Sequence, residues 1–272
     1  MASTSDSSQG AGDGQGRITL ADVEASFNNQ VRNSFVVRHF GRPPANRITP
    51  FFYNRGWTAN QMTSLRLALT GLALASLVGD GAASWALAAV LYYLVFVLDL
   101  VDGNLARLRD GATYWGRFYD GLVDRLFHTL SPLLAGIGVW SAGGAPWTMV
   151  AGAAATVLFL YQDLVRHGFQ YYRLWMEQRS GPAGYRKGGA VAWAEAWLDR
   201  LTTNGFFIAP LLLLLPDGLN WFLLAGLLLQ GLGGGLSLLL QLYVAYRTLL
   251  RGRKSKHAAG VDPQRETSPG LE

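Results

Sequence analysis

The chain alternates long apolar blocks with short polar or glycine-rich stretches. Several blocks reach the roughly 20 residues that a helix needs to cross the hydrocarbon layer of a membrane. The predicted fold class is therefore all-α, a polytopic integral membrane protein with six transmembrane helices. The expected spans are residues 60–78, 85–105, 117–140, 146–176, 197–215 and 220–244.

The segment before the first block has a different pattern. From Thr19 to Phe40 apolar residues recur at helical spacing, which predicts an N-terminal amphipathic interfacial helix on the membrane surface. A soluble helix packed on the body of the protein is the alternative. The run Arg42-Pro43-Pro44 is expected to end the helix and to begin a connector that extends to Trp57. The predicted units are a disordered tail (1–16), an interfacial segment (17–57), a six-helix transmembrane domain (58–250) and a disordered basic tail (251–272).

Composition and charge support this membrane assignment. Half of the residues are hydrophobic and 15% are charged. The loops at 79–84, 141–145 and 216–218 contain no Lys or Arg, whereas the loops on the other side carry several arginines. The positive-inside rule then predicts that both termini are cytoplasmic, at the inner membrane if the cell is bacterial.

Two classes of function are excluded by composition. The net charge is +5, and the basic residues lie at the borders of the apolar blocks without interleaved stacking aromatics. No nucleic acid is therefore expected as a partner. The chain has no cysteine, which excludes disulfides, thiolate metal sites and a cysteine nucleophile.

Acidic residues cluster where the second apolar block ends and the third begins. At about 100° per residue, Asp99 and Asp102 share one helical face, and Asp120 and Asp124 share a face of the next helix. Four carboxylates at membrane depth repel one another unless cations neutralise them. Two divalent cations, Mg²⁺ or Mn²⁺, would balance the charge and suit oxygen ligands.

The same segment has room for a phosphorylated ligand. Gly103 and Gly116 carry no side chain, so a ligand can approach both helices closely. Arg107 follows one turn after Gly103, and its guanidinium suits a phosphate. Arg109 and Arg117 lack such support and are interpreted as topological charges.

This segment resembles the signature of the CDP-alcohol phosphotransferase family (CDP-alcohol phosphatidyltransferases). The signature is Asp-x2-Asp-Gly-x2-Ala-Arg, then eight residues, then Gly-x3-Asp-x3-Asp, and the chain keeps every position. The matching residues are Asp99, Asp102, Gly103, Ala106, Arg107, Gly116, Asp120 and Asp124.

The resemblance implies roles for these residues. In the family the four aspartates hold two metal ions, and the last, which corresponds to Asp124, is the general base. The opening of the first span is similar to the family's Pro-Asn-x-x-Thr, although Ala59 replaces the proline. Helix capping by Thr63 is an equally weighted alternative. The residues expected at the CDP group are Asn60, Thr63, Gly103, Ala106, Arg107, Thr113 and Gly116.

The acceptor of the reaction is expected near the ends of spans four and five. Basic residues there form a candidate pocket for an anionic alcohol such as inositol phosphate or glycerol phosphate. Snorkelling at the membrane edge is the alternative. The candidates are Arg166, His167, Arg173 and Arg200.

The resemblance predicts an enzyme of phospholipid biosynthesis that works in the lipid bilayer. It would transfer a phosphatidyl group from CDP-diacylglycerol to a small polar alcohol, with or without a phosphate group of its own, with release of CMP. One alternative is the transfer of a head group from a CDP-choline or CDP-ethanolamine donor to a lipid alcohol. A divalent-cation transporter is an alternative from a different class. The glycines at 231–235 are expected to permit close helix packing, and a homodimer is expected.

Overall fold

The computed structural model describes residues 17–26, 35–109, 111, 113–180 and 189–258. The secondary structure of these residues is helical, in agreement with the predicted all-α class. A π-helical turn (Val37–Gly41) leads into α2, a 3₁₀ helix (Ala209–Leu214) follows α7, and a π-helical stretch (Leu227–Gly233) joins α8 to α9. The helices are α1 (Leu20–Ala25), α2 (Arg42–Asn54), α3 (Ala59–Val78), α4 (Gly81–Leu108), α5 (Tyr114–Ser141), α6 (Trp147–Ser180), α7 (Gly189–Ile208), α8 (Gly218–Gly226) and α9 (Gly234–Ala258).

Four described stretches are long and apolar enough to cross a membrane. They are Ala59–Val78, Gly81–Leu108, Trp147–Trp175 and Gly218–Arg247. The other two predicted spans correspond to α5, which carries Asp120, Asp124 and two arginines, and to α7 with the 3₁₀ helix after it. Charged and polar residues lower the apolar character of these two segments, so the count of six spans stays a prediction.

The segment expected to be a connector is a helix instead. Pro43 and Pro44 lie in the first turn of α2, where a missing N–H costs no intrahelical hydrogen bond. The expectation that Arg42-Pro43-Pro44 ends a helix was therefore wrong.

The predicted amphipathic helix before α2 is only partly within the described residues. α1 ends at Ala25, helical structure resumes at Phe35, and residues 27–34 lie outside the described residues. Its interfacial location stays a prediction. The predicted tail at residues 1–16 also lies outside them, whereas residues 251–258 of the other predicted tail are helical because α9 extends to Ala258.

The apolar core lies among α3, α4, α5, the 3₁₀ helix and α8. It includes Leu77, Tyr92, Phe127 and Leu219, which are almost fully buried. Inside this core the Tyr92 hydroxyl donates to Ser131 Oγ at 2.7 Å, so the polar group is satisfied.

Glycines allow two close helix contacts. A Cβ added at Gly136 of α5 would lie 2.5 Å from the Thr148 carbonyl oxygen of α6, so the two backbones touch there. The expected packing role of the later glycines holds for Gly233 and Gly234, which lie against Thr202 and Gln162. The remaining two, Gly231 and Gly235, have open space where a side chain would be.

Candidate functional site

Carboxylates from two helices converge near the end of α4 and the beginning of α5. Asp99 and Asp102 lie on α4, and Asp120 and Asp124 lie one turn apart on α5. One oxygen each of Asp99, Asp120 and Asp124 lies within 4.8 Å of the others. The two helical faces that the spacing defined are thus brought together, and we call these four residues the aspartate cluster.

Arg66 of α3 lies at the centre of the aspartate cluster, and the sequence analysis missed it. Its Nη1 pairs with Asp99 and lies 3.2 Å from Asp102. Its Nη2 lies 2.9 Å from Asp120 and 2.8 Å from Asp124. The side chain is only 1% exposed, so its charge is balanced by these carboxylates and not by water.

One guanidinium neutralises only part of the cluster. With the four carboxylates ionised, Arg66 leaves an excess of negative charge, and Asp120 Oδ1 is a buried oxygen that receives no hydrogen bond. Carboxylate oxygens this close together are the ligand set that Mg²⁺ and Mn²⁺ prefer. The residues therefore fit a divalent cation, with which Arg66 would share the carboxylates.

Thr63 contacts the cluster rather than capping its helix. Thr58 is the N-cap of α3, where its hydroxyl accepts from Gln61 N at 3.2 Å, so the capping alternative for Thr63 is wrong. The Thr63 hydroxyl lies 3.1 Å from Asp102 Oδ2 and 3.1 Å from the Ala59 carbonyl, either of which can accept its proton. Because Asp102 is only 6% exposed, this contact helps to orient its carboxylate.

A cavity of about 340 Å³ opens on one side of the cluster, and we call it the first cavity. Asp102 and Asp120 lie in its wall. Thr113 caps α5 there by accepting from Gly116 N at 3.0 Å. Six of the seven residues expected at the CDP group line this cavity, namely Asn60, Thr63, Gly103, Ala106, Thr113 and Gly116.

The seventh expected residue, Arg107, lies beside the first cavity and not in its wall. Its Nη2 donates to Asn104 Oδ1 at 2.5 Å. Its Nη1 would lie 3.6 Å from a Cβ at Gly103, so the absent side chain of Gly103 leaves space between Arg107 and the cavity. Its contact with the nucleotide stays a prediction.

Two arginines interpreted as topological charges also line the first cavity. Arg109 follows the last residue of α4, and Arg117 lies in the first turn of α5. The turn between the helices includes Gly111, whose φ of 87° is a conformation that glycine adopts readily. Sequence spacing did not reveal that both cations lie in the wall of this cavity.

A second cavity of about 550 Å³ reaches the cluster at Asp124 and shares no lining residue with the first cavity. Asp124 lies in its wall, together with residues of α6, α7 and the π-helical stretch before α9. Arg166 and His167, two of the four expected acceptor residues, line it. The other two, Arg173 and Arg200, do not line it and are exposed to solvent. Arg173 lies two turns, about 10 Å, beyond Arg166 along α6.

A chain of hydrogen bonds fixes one wall of the second cavity. Arg125 Nε donates to Asp163 Oδ2 at 2.9 Å, and Arg125 Nη2 donates to His167 Nε2 at 2.8 Å. Because a guanidinium only donates, His167 Nε2 must accept, and its Nδ1 then donates to the Asp163 carbonyl oxygen at 2.9 Å. Sequence analysis singled out neither Arg125 nor Asp163, although a charge pair inside predicted spans was a usable signal.

His128 and Gln230 form another part of this wall. The His128 ring packs at 5.9 Å against Phe159, and its carbonyl accepts from Gln230 Nε2 at 3.0 Å. These two contacts hold His128 in the wall of the cavity. Gln230 Oε1 is buried without a hydrogen-bond donor, so this side chain retains one acceptor.

A third, apolar cavity of about 300 Å³ adjoins the second one. It lies between the turn that precedes α2 and the core helices, and its wall includes Phe35, Tyr93 and Phe96. Phe207 belongs to the walls of both the second and the apolar cavity. An apolar compartment is therefore separated from the acidic centre by a few side chains.

Comparison with known proteins agrees with this geometry. A sequence profile of the family described as CDP-alcohol phosphatidyltransferase matches residues 57–232, which is more than half of the chain. No curated protein matches the chain significantly. The matched region contains the aspartate cluster and the walls of both polar cavities apart from Gly234. The chain belongs to the CDP-alcohol phosphatidyltransferase family.

Proposed function

We propose that this protein transfers a phosphatidyl group from CDP-diacylglycerol to the hydroxyl of a small, phosphorylated alcohol, with release of CMP. Membership of the family supports transfer of a phosphate-containing group from a CDP-alcohol. The observation that carries the finer proposal is the presence of two polar cavities that share no lining residue and that each include aspartates of the one cluster.

The first cavity suits the cytidine diphosphate of the donor. Thr113 and Asn60 offer polar groups, Arg109 and Arg117 offer positive charge, and Asp102 and Asp120 face the cavity. Family members use divalent metal ions, and we propose that Asp99, Asp102, Asp120 and Asp124 hold two, Mg²⁺ or Mn²⁺. Such ions stabilise the charge on the attacking and leaving oxygens of a phosphoryl transfer.

Asp124 is the proposed general base because it lines the second cavity. A carboxylate there can accept the proton of an alcohol that enters from that side. The alcohol oxygen attacks the phosphorus distal to cytidine, the bond to the bridging oxygen breaks, and that oxygen leaves with CMP. The proton remains on Asp124 until it is lost to solvent.

The charges of the second cavity favour an acceptor that carries one phosphate. Arg125 is paired with Asp163, and His167 must be neutral to accept from Arg125. Within the part of the chain that the structure describes, no carboxylate lies within ion-pair distance of Arg166. Its charge is thus available for a phosphate, while Gln230 and Asp163 can bind hydroxyls. Inositol phosphate and glycerol phosphate have this chemistry.

The polar wall of the second cavity also favours CDP-diacylglycerol over a CDP-choline-type donor. In the alternative reaction a CDP-choline-type donor transfers its head group to a lipid alcohol, which would have to reach Asp124 through a wall of Arg, His, Gln and Asp side chains. The apolar cavity beside Phe207 is a more suitable place for an acyl chain. A divalent-cation transporter would place acidic groups through several spans, whereas these lie at the junction of α4 and α5.

A release assay tests this proposal. The purified protein in nanodiscs is supplied with Mg²⁺ and CDP-diacylglycerol, and CMP is measured with a panel of neutral and phosphorylated alcohols. We expect CMP only when a phosphorylated alcohol is present. CMP release from CDP-choline with diacylglycerol would favour the alternative donor, and Mg²⁺ flux into liposomes without CMP would favour a transporter.

We also propose a six-span homodimer with both termini and the aspartate cluster on the cytoplasmic side, where soluble nucleotides are found. The cysteine-free sequence simplifies the topology test, because single cysteines can be introduced in the loops at 79–84 and 141–145. Both should react with an impermeant maleimide from outside the cell. Protection of either cysteine from the maleimide would contradict the proposed orientation.

A further inference from the structure

We propose that Arg109 is a second arginine for the diphosphate of the donor and that Tyr53 of α2 sets its position. This inference rests on the proposed function, since it concerns the first cavity and its cytidine nucleotide. Arg109 lies outside the eight signature positions, and α2 lies before the matched residues 57–232.

Arg109 has the placement that an anion-binding side chain needs. It lines the first cavity together with Asp102, Gly103 and Thr113, and it is half-buried. Its Nε is buried and has no hydrogen-bond partner. Among the described residues, no carboxylate lies within ion-pair distance of its guanidinium.

Tyr53 holds this guanidinium without neutralising it. Arg109 Nη2 donates to the Tyr53 carbonyl at 3.0 Å. The guanidinium carbon of Arg109 also lies 4.7 Å from the centre of the Tyr53 ring. A carbonyl and an aromatic face attract a cation but carry no net charge, so the full positive charge remains for a phosphate.

A second contact between α2 and α4 supports the same role for α2. Asn104 of α4 is fully buried, and its Nδ2 donates to Thr49 Oγ1 at 2.9 Å and to Asn46 Oδ1 at 3.2 Å. Asn104 Oδ1 accepts from Arg107. Because Arg107 can only donate, the Asn104 amide has one possible orientation, which α2 enforces. α2 therefore contacts one arginine of the nucleotide region directly and the other through Asn104.

Arg66 has charged neighbours where Arg109 has neutral ones, which is why the diphosphate is assigned to Arg109 and not to Arg66. Arg66 is enclosed by four carboxylates and has little charge to offer a phosphate. Arg109 is a cation in the wall of the first cavity whose position, among the residues that the structure describes, is fixed by the neutral carbonyl and ring of Tyr53. A preset cation binds an anion with less loss of side-chain entropy than a mobile one.

The test measures CDP binding by calorimetry with the full-length protein in nanodiscs and Mg²⁺. Arg109→Ala should weaken CDP binding roughly tenfold, the size of one charge-assisted hydrogen bond. It should also make the dependence of binding on salt shallower. The matched control is Arg55→Ala, which removes an exposed arginine from the turn after α2 that is stacked on Phe51 and lies outside the cavity wall.

Tyr53 variants separate positioning from general structural damage. Tyr53→Ala should weaken CDP binding about threefold by removing the aromatic face, and Tyr53→Phe should restore it. In an Arg109→Ala background, Tyr53→Ala should cause no further loss, because both changes act through one guanidinium.

The possible outcomes are distinguishable. Wild-type protein that binds CDP, with an Arg109→Ala variant that binds it equally well, would overturn this inference and leave the proposed function standing. Equal losses for Tyr53→Ala with and without Arg109 would also overturn it. Wild-type protein that binds no CDP would refute the proposed function and this inference together. If Arg109→Ala does not fold, Arg109→Gln, which removes the charge but keeps a polar side chain, answers the same question through the salt dependence.

Discussion

The two polar cavities each include carboxylates of the same cluster but are built in different ways. The residues that line the first cavity all lie between Thr58 and Asp120, on two turns and the adjoining ends of α3, α4 and α5. The second is lined by residues that range from Gly121 to Gly234. A ligand site made by neighbouring elements leaves a sequence signature, whereas a site between distant helices depends on how the helices pack.

The comparison also separates two tasks. The first cavity presents Asp102 and Asp120 with two arginines, a combination suited to a metal-bound diphosphate. The second presents Asp124 with hydrogen-bonding groups and Arg166. Changes on the first side should therefore alter donor binding, and changes on the second side should alter turnover or acceptor binding.

The largest expected effect follows from removing the proposed base. Asp124→Asn should lower kcat by about 10²–10⁴-fold, because the amide cannot accept the alcohol proton. CDP affinity should change little, since Asp124 does not line the first cavity. CMP release and calorimetry measure the two quantities. Asp80→Asn, at the far end of α4, is the control, and turnover near the wild-type rate would remove Asp124 from this role.

The next largest effect concerns Arg66, which belongs to both sides. Arg66→Gln should destabilise the metal-free protein by about 3 kcal/mol, because four carboxylates then lack their internal counter-ion. Mn²⁺ should bind more tightly to this variant and recover much of the lost stability. Thermal unfolding in a chelator and Mn²⁺ titration by electron paramagnetic resonance measure these effects.

Arg66→Lys is the matched variant for this test. It keeps one positive charge but lacks the fork that reaches α4 and α5 together, so its stability should be intermediate. An equal loss of stability with and without Mn²⁺ would show that Arg66 acts only through packing.

A smaller effect is expected from Arg166→Ala. It should raise KM for a phosphorylated acceptor roughly tenfold, because one charge-assisted hydrogen bond is lost. The KM for the CDP donor should stay constant. Arg173→Ala is the control on the same helix beyond the cavity wall. An equal rise in KM for a neutral alcohol would argue against a phosphate contact.

The smallest effect lies away from both cavities, at α1. The Thr19 backbone N–H donates to Asp22 at 2.7 Å, and the Thr19 hydroxyl also donates, so the pKa of Asp22 is lowered. Because the pKa of Asp22 is lower in the folded state than in the unfolded state, its hydrogen bonds stabilise α1 above the unfolded-state pKa. This stabilisation is lost as the pH falls through the folded-state pKa. α1 should fray slightly in acid, and Asp22→Asn should remove this dependence. Amide exchange of α1 measures it, and CMP release should be unchanged.

Much of the first cavity was predictable from the sequence. Helical periodicity alone placed Asp99 with Asp102 and Asp120 with Asp124, and the structure brings the two pairs together. Arg66 could have been found as well, because a lone arginine inside an apolar block needs a buried counter-charge. Arg109 could not, because the cavity that it lines is formed jointly by residues of α3, α4 and α5, and its existence depends on how these helices pack.

The second cavity and α2 were less accessible. Which arginine of α6 lines the cavity with Asp124 depends on the rotation and length of the helix, so the sequence did not separate Arg166 from Arg173, which lies outside the cavity wall. Arg125 was omitted for the same reason. Two adjacent prolines usually interrupt a helix, but at its first turn they start one, and sequence alone did not distinguish these cases.

The guanidinium at the centre of the cluster has a consequence for how the protein is made. Newly inserted helices would face strong repulsion at their junction if they depended on ions from the cytoplasm. A counter-ion encoded in the chain would let α3, α4 and α5 associate during biogenesis without a bound metal ion. Metal supply would then determine when the enzyme begins to work rather than whether it assembles.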